Sequence, residues 1–212
     1  MSGRGAMRER GAIYVLTGER GSGKTYICTQ VVADARARGL DVAGLLTGRS
    51  GPEPGDPREV VDLRSGDARL FGVQSVGEEP TSWSVPERSS GDATDASPDS
   101  AAGSSHSDPL TPGWEYRSDV FAWGDQVLSR ATPCDLLVVD EVGPLELQGG
   151  RGWVKALEVL RKHDFAAALV VCRPELLDEL EQSLGEAPAH VFEAQLATAD
   201  ALAATIAAEI LG

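Results

Sequence analysis

The chain has 212 residues, enough for one α/β domain with a sizeable core, and 42% of them are hydrophobic, as in an ordinary globular protein. Its formal net charge of −14 excludes nucleic acid and anionic membrane surfaces as expected partners, because both would repel it. An anion can still bind where backbone amides and one or two cations are focused.

The charged start "MSGRGAMRERG" is followed by only five apolar residues, "AIYVL" at 12–16. That is too short for a signal-peptide core, and no run approaches the ~20 apolar residues of a membrane helix. The three cysteines, Cys28, Cys134 and Cys172, are far apart and lack C-x-x-C spacing. They are expected as small core residues, Cys28 on a helix and Cys172 in a strand, in a reducing cytoplasm.

"AIYVL" reads as a parallel strand buried on both faces. From Lys24 the pattern turns helical: Ile27, Val31, Val32 and Ala35 recur at helix spacing, and Gly39 closes the helix. "DVAGLLT" at 41–47 is a second strand, which completes a βαβ unit. "REVVDLRSGDARLFGV" at 58–73 alternates around "SGD" and predicts a hairpin.

Residues 78–112 change character. They are rich in Ser, Asp, Pro and Gly, and carry seven acids against one arginine, Arg88, so about −6 of the net charge lies here. Such a stretch buries too little apolar surface to offset its chain entropy and is expected to be a disordered insertion in a surface loop. It is either a tolerated spacer or a contact for a protein partner. Trp83 and Trp114 flank it and mark where packed structure ends and resumes.

"SDVFAWGDQVLSRA" at 118–131 is an amphipathic helix with Ser118 as its N-cap. "DLLVVDE" at 135–141 is a buried strand, and "GRGWVKALEVLRKHD" a helix with Trp153, Leu157 and Leu160 on one face. "AAALVVC" at 166–172 is a strand; Pro174 starts a helix through "PELLDELEQSL". "AHVFEA" at 189–194 is the last strand, and a closing helix follows with a Thr198 cap. Strands alternate with helices, which argues one α/β domain over 10–212, interrupted at 78–112, with a mostly parallel five-stranded sheet covered on both faces. There is no internal repeat.

Gly18, Glu19, Arg20, Gly21, Ser22, Gly23, Lys24 and Thr25 fit G-x-x-x-x-G-K-[ST], the phosphate-binding P-loop or Walker A pattern. Glycines let the backbone wrap tightly, so amides from Arg20 to Thr25, with Tyr26 behind them, can enclose a phosphate. The positive end of the following helix adds to this. Lys24 reaches the β- and γ-phosphates, and Thr25 offers its hydroxyl to Mg²⁺. The pattern fixes only four positions, but its required context, a strand before and a helix after, is present.

"LLVVDE" puts Asp140 and Glu141 at the carboxyl end of a buried strand, the edge where open α/β sheets bind ligands. This is the Walker B arrangement. Asp140 is expected to hold Mg²⁺ through water, and Glu141 to orient and polarise the attacking water. A further cation is needed where the transition state spreads negative charge. Arg173, just past strand 166–172, ranks first; Arg49 and Arg20 are the other candidates. His106, His163 and His190 are not spaced with acids or cysteines like a metal site, and no G-x-S-x-G elbow is present.

At Asp140-Glu141-Val142-Gly143-Pro144-Leu145-Glu146-Leu147 the chain resembles the THEP-type (cancer-related) family of small P-loop nucleoside triphosphatases. That family follows its strand with Asp-Glu-Ile-Gly, one variable residue and Met-Glu-Leu. Gly44-Leu45-Leu46-Thr47 resembles the family's G-F-x-T, and "VVCRPELLDEL" matches in style, so the resemblance covers about 10–76 and 114–211. Arg20 stands where the family usually has Pro, Tyr26 where a second Thr is common, and Leu145 in place of Met. The resemblance implies a RecA-like three-layer P-loop NTPase fold. It also implies slow Mg²⁺-dependent hydrolysis of ATP, GTP and other nucleoside triphosphates, with Lys24, Thr25, Asp140 and Glu141 in the family roles. Two other functions remain open at this point: a small kinase of the same fold, and a nucleotide-gated binding module that contacts a protein through the acidic insertion.

Overall fold

The computed structural model describes residues 11–51, 56–74, 105–107 and 113–212. In chain order its elements are β1 (Ala12–Thr17), α1 (Lys24–Ala37), β2 (Val42–Arg49), β3 (Arg58–Asp62), β4 (Ala68–Gln74), β5 (Ser105–Ser107), β6 (Trp114–Arg117), α2 (Ser118–Ser129), β7 (Cys134–Val142), α3 (Pro144–Leu147), α4 (Lys155–Lys162), β8 (Phe165–Cys172), α5 (Leu177–Leu184), β9 (His190–Glu193) and α6 (Ala199–Leu211). All nine strands join one sheet, ordered β5-β6-β4-β3-β2-β7-β8-β1-β9. The five segments read as the strands of the parallel sheet, β2, β7, β8, β1 and β9, are its parallel half.

β7 shows how a short apolar run serves two cores. Successive side chains of a strand point to opposite faces. Leu136 and Val138 pack with Ile27 and Val31 of α1 and Ile206 of α6. Leu137 and Val139 pack on the other face with Val120 of α2, Leu160 of α4 and Leu180 of α5. Each fully buried aliphatic side chain stabilises the fold by roughly 1.5–3 kcal/mol. The result is the expected three-layer α/β arrangement, and Cys28, Cys134 and Cys172 are all buried thiols within it.

The structure departs from expectation in the antiparallel half. The β3–β4 hairpin extends the sheet beyond β2, and β6 and β5 continue it. Ser105–Ser107 lies inside the stretch expected to be disordered, yet it forms β5. It pairs with β6 through backbone groups, which need no apolar alternation and leave no trace in composition. The rest of the insertion, Trp83 included, lies outside the described residues; Trp114 does open β6. Arg117, not Ser118, caps α2, and its guanidinium binds Asp119 in the first turn at 2.7 Å. Trp153 precedes α4 instead of lying on it, because residues 150–154 form a loop with Gly150 and Gly152 at positive φ. Pro174 opens a short 3₁₀ turn before α5. Among the described residues, no helix is long and apolar enough to cross a membrane.

One glycine is dictated by the sheet. Gly44 in β2 has φ +108°, and a Cβ there would collide with the Val138 carbonyl oxygen of neighbouring β7. Gly44→Ala is therefore expected to lower unfolding free energy by ~2 kcal/mol or more. Denaturant titration checks it; a loss under ~0.5 kcal/mol would show that the strands can part there without cost.

Candidate active site

The loop between β1 and α1 is built by its glycines. Gly18, Gly21 and Gly23 have φ of +139°, +83° and +91°, and Gly23 is the N-cap of α1. Side chains rarely adopt such angles. At Gly18 a Cβ would also strike the Ala194 carbonyl oxygen. The Lys24 ammonium folds over this loop and donates to the carbonyls of Gly18 (2.5 Å) and Glu19 (2.7 Å). Burial lowers its pKa, against the pull of Glu141 and Asp140. Glu141, Asp140 and Arg173 all act on Lys24 electrostatically, so the P-loop and the ends of β7 and β8 form one cluster.

Asp140 is the buried centre of that cluster, only 2% exposed. One carboxylate oxygen accepts both the Thr47 amide (3.1 Å) and the Thr47 hydroxyl (3.0 Å) from β2. Thr25 also hydrogen-bonds the carboxylate. Burial, with the Glu141 charge beside it, pushes the Asp140 pKa up to about 6 despite these bonds. A carboxylate so held, next to a threonine hydroxyl, presents hard oxygen donors of the kind Mg²⁺ takes. Among the described residues there is no cluster of three or more His, Cys, Asp or Glu able to cage a metal.

Glu141 is brought to the same edge by a bulge. Val139 pairs with Val170 and Val142 with Cys172, so β7 carries one more residue than β8 between these pairs. Glu141 takes up the extra residue with φ +86°, a conformation side chains seldom adopt. In a regular strand Asp140 and Glu141 would point to opposite faces. Instead Glu141 meets Arg173, whose guanidinium donates to it at 2.9 and 3.3 Å. β8 lies between β1 and β7, so Arg173 leaves the sheet between the P-loop and Asp140. Tyr116 of β6 lies within electrostatic reach of Arg173. Trp114, stacked 6.4 Å from Tyr116, lies under the Arg20 guanidinium, 5.9 Å from its ring centroid.

Every residue read from the P-loop and Walker B patterns thus lies in one neighbourhood. Tyr26 sits at its edge, exposed, and its hydroxyl donates to Asp200 at 2.6 Å. Arg49 is set apart at the exposed end of β2, opposite Arg58, and no hydrogen bond or ion pair joins it to Asp140 or Glu141 among the described residues. His163 and His190 are elsewhere, on the Gly11 carbonyl and Glu209. Sequence reasoning missed Thr47 as the holder of Asp140. Its signal was a lone hydroxyl residue in a strand otherwise apolar. It also missed the aromatic wall of β6, which no motif announces.

Glu146 has a structural task. It is buried, and its two carboxylate oxygens accept the amides of Gly143 and Trp153, each at 2.9 Å. It thereby fastens the turn after β7 to the loop before α4. A Cβ on Gly152 would collide with this carboxylate.

No protein-family model matches the chain, and no curated protein matches it. Solved structures do match. A human cancer-related nucleoside triphosphatase, solved in solution, aligns with TM-score 0.59 and 18% identity over 94% of this chain and 97% of its own. THEP1 from the hyperthermophile Aquifex aeolicus aligns with TM-score 0.60 and 16% identity over 93% of this chain and 98% of its own. The chain has the fold of these two proteins, and the resemblance carried by residues 140–147 is matched at the level of the fold.

Burial pushes the Glu146 carboxyl up to about 7 from its ordinary 4.5, outweighing the two amides it accepts. A group raised in the folded state stabilises fully below its unfolded pKa, and that contribution is lost as pH rises through the folded value. Wild type should therefore lose ~1–3 kcal/mol relative to Glu146→Gln between pH 4.5 and 8. Paired denaturation curves across this range test it; a pH-independent gap would mean Glu146 titrates normally.

Proposed function

We propose that the chain is a Mg²⁺-dependent nucleoside-triphosphate phosphohydrolase of the THEP type, converting ATP, GTP and other nucleoside triphosphates to the diphosphate and phosphate. The observation that carries this reading is the convergence of Lys24, the Thr25–Asp140–Thr47 knot and the Glu141–Arg173 pair on one sheet edge. The human protein that shares the fold is a nucleoside triphosphatase.

The residues divide the task. Amides of the P-loop and the α1 N-terminus cradle the phosphates. Lys24 has three protons and already places two on loop carbonyls, so the third is free for a β- or γ-phosphate oxygen. Thr25 and Asp140 would hold Mg²⁺, which when bound neutralises charge on the phosphate oxygens. Glu141 takes a proton from water as the water oxygen bonds to the γ-phosphorus. The β–γ bridging bond breaks, its electron pair stays on the diphosphate, and the proton passes from Glu141 to solvent. Arg173 orients Glu141 and adds positive charge where the phosphate departs. A general base next to the metal-holding acid favours water over another acceptor.

Phosphate release from a panel of nucleoside triphosphates, with and without Mg²⁺, tests the reading; no Mg²⁺-dependent release from any of them would end it. Lys24→Ala should abolish hydrolysis and weaken triphosphate binding. Glu141→Gln should keep binding while kcat drops ~10²–10⁴-fold. Equal loss of binding in both variants would contradict the division of roles.

A further inference from the structure

The catalytic groups all lie to one side of the P-loop strand. In the sheet, β1 stands between β8 and β9, and Asp140 and Arg173 end β7 and β8 on the β8 side. A triphosphate whose γ-phosphate meets these groups has its α-phosphate, and therefore its nucleoside, toward β9. The chain leaving β9 is tied to the loop there. The Ala194 amide donates to the Thr17 carbonyl at 2.8 Å. A Cβ on Gly23 would find Leu196 Cδ1 and Ala199 Cβ at 3.5 Å each, so both side chains lie against the last loop glycine. Tyr26, in the first turn of α1, reaches Asp200 at the start of α6.

A lone exposed apolar side chain is ordinary on a protein surface, but two that flank the mouth of a binding loop offer a surface a ligand can cover. Three are exposed among the described residues: Leu196 (70%), Tyr26 (47%) and Val191 (38%). Two of the three flank the mouth of α1. We infer that Leu196 and Tyr26 form the ledge against which the nucleobase lies. The inference rests on the nucleotide reading above and adds where the base is held and by what chemistry. The ledge's hydroxyls are committed within the protein: Tyr26 to Asp200, and Thr198 to the Gln195 carbonyl at 3.3 Å. The Leu196 and Tyr26 side chains therefore offer contact by apolar area and ring stacking, to which every base can respond. Such a ledge binds purines and pyrimidines alike.

Calorimetry with Mg²⁺ and ATP, GTP, CTP, UTP or inorganic tripolyphosphate separates base from phosphate contributions. Leu196→Ser and Tyr26→Ala should each weaken all four nucleotides about tenfold, within the range of base-stacking losses. Tripolyphosphate, which has no base, should bind Leu196→Ser as it binds wild type. Leu196→Phe should hold or tighten nucleotide binding, and Val191→Ser, the same kind of change away from the loop, should leave it unmoved. Unchanged nucleotide affinities in the first two variants would overturn the ledge while leaving the phosphate site standing. So would a loss confined to one base, or an equal loss with tripolyphosphate in Leu196→Ser. A wild type that binds neither nucleotide nor tripolyphosphate would overturn the ledge and the proposed function together.

Discussion

The site depends on one carboxylate that the fold has taken out of water. Ionised Asp140 would be costly in an apolar surrounding without compensation. Compensation comes from Thr47 on β2, Thr25 on α1 and the ammonium of Lys24 nearby. These residues come from separate elements, so the acid acts as a pin on which β2, β7 and the P-loop are aligned. The same partial compensation, which leaves its pKa raised, makes Asp140 receptive to a cation.

Strand order then distributes the chemistry. Because β8 separates β1 from β7, Arg173 emerges between the P-loop and the acids. The bulge at Glu141 turns two adjacent acids to one edge, at the cost of a strained backbone angle. Glu146 and the glycine-rich loop behind it keep the chain after the bulge in place. In a protein of net charge −14, Lys24, Arg173 and the amides of the P-loop place positive groups at this edge.

The antiparallel half gives the site a wall rather than a reactive group. Trp114, Tyr116, Phe71, Phe121 and Trp153 form a continuous aromatic cluster between the sheet extension and α2. Its outer member, Trp114, touches the Arg20 guanidinium of the P-loop. The hairpin and β6 therefore border the glycine-rich loop after β1, although they contribute nothing to either motif.

The parallel strands, the P-loop and the acids ending β7 were legible in the residues themselves. Their signals are local: a short apolar run, glycines at fixed spacing, an acid where the run stops. The sequence by itself determined that a glycine-built loop would follow the first strand, and that Asp140 and Glu141 would end a buried strand at the same sheet edge. Only the tertiary structure decided that Thr47 holds Asp140 across 93 residues, that Glu141 pairs with Arg173 across 32, and that Ser105–Ser107 joins the sheet. It also decided that Leu196 lies on the P-loop. Each of these is a contact between elements distant along the chain. Such contacts depend on strand order and on a single-residue bulge, neither of which leaves a periodic mark in the residues that make them.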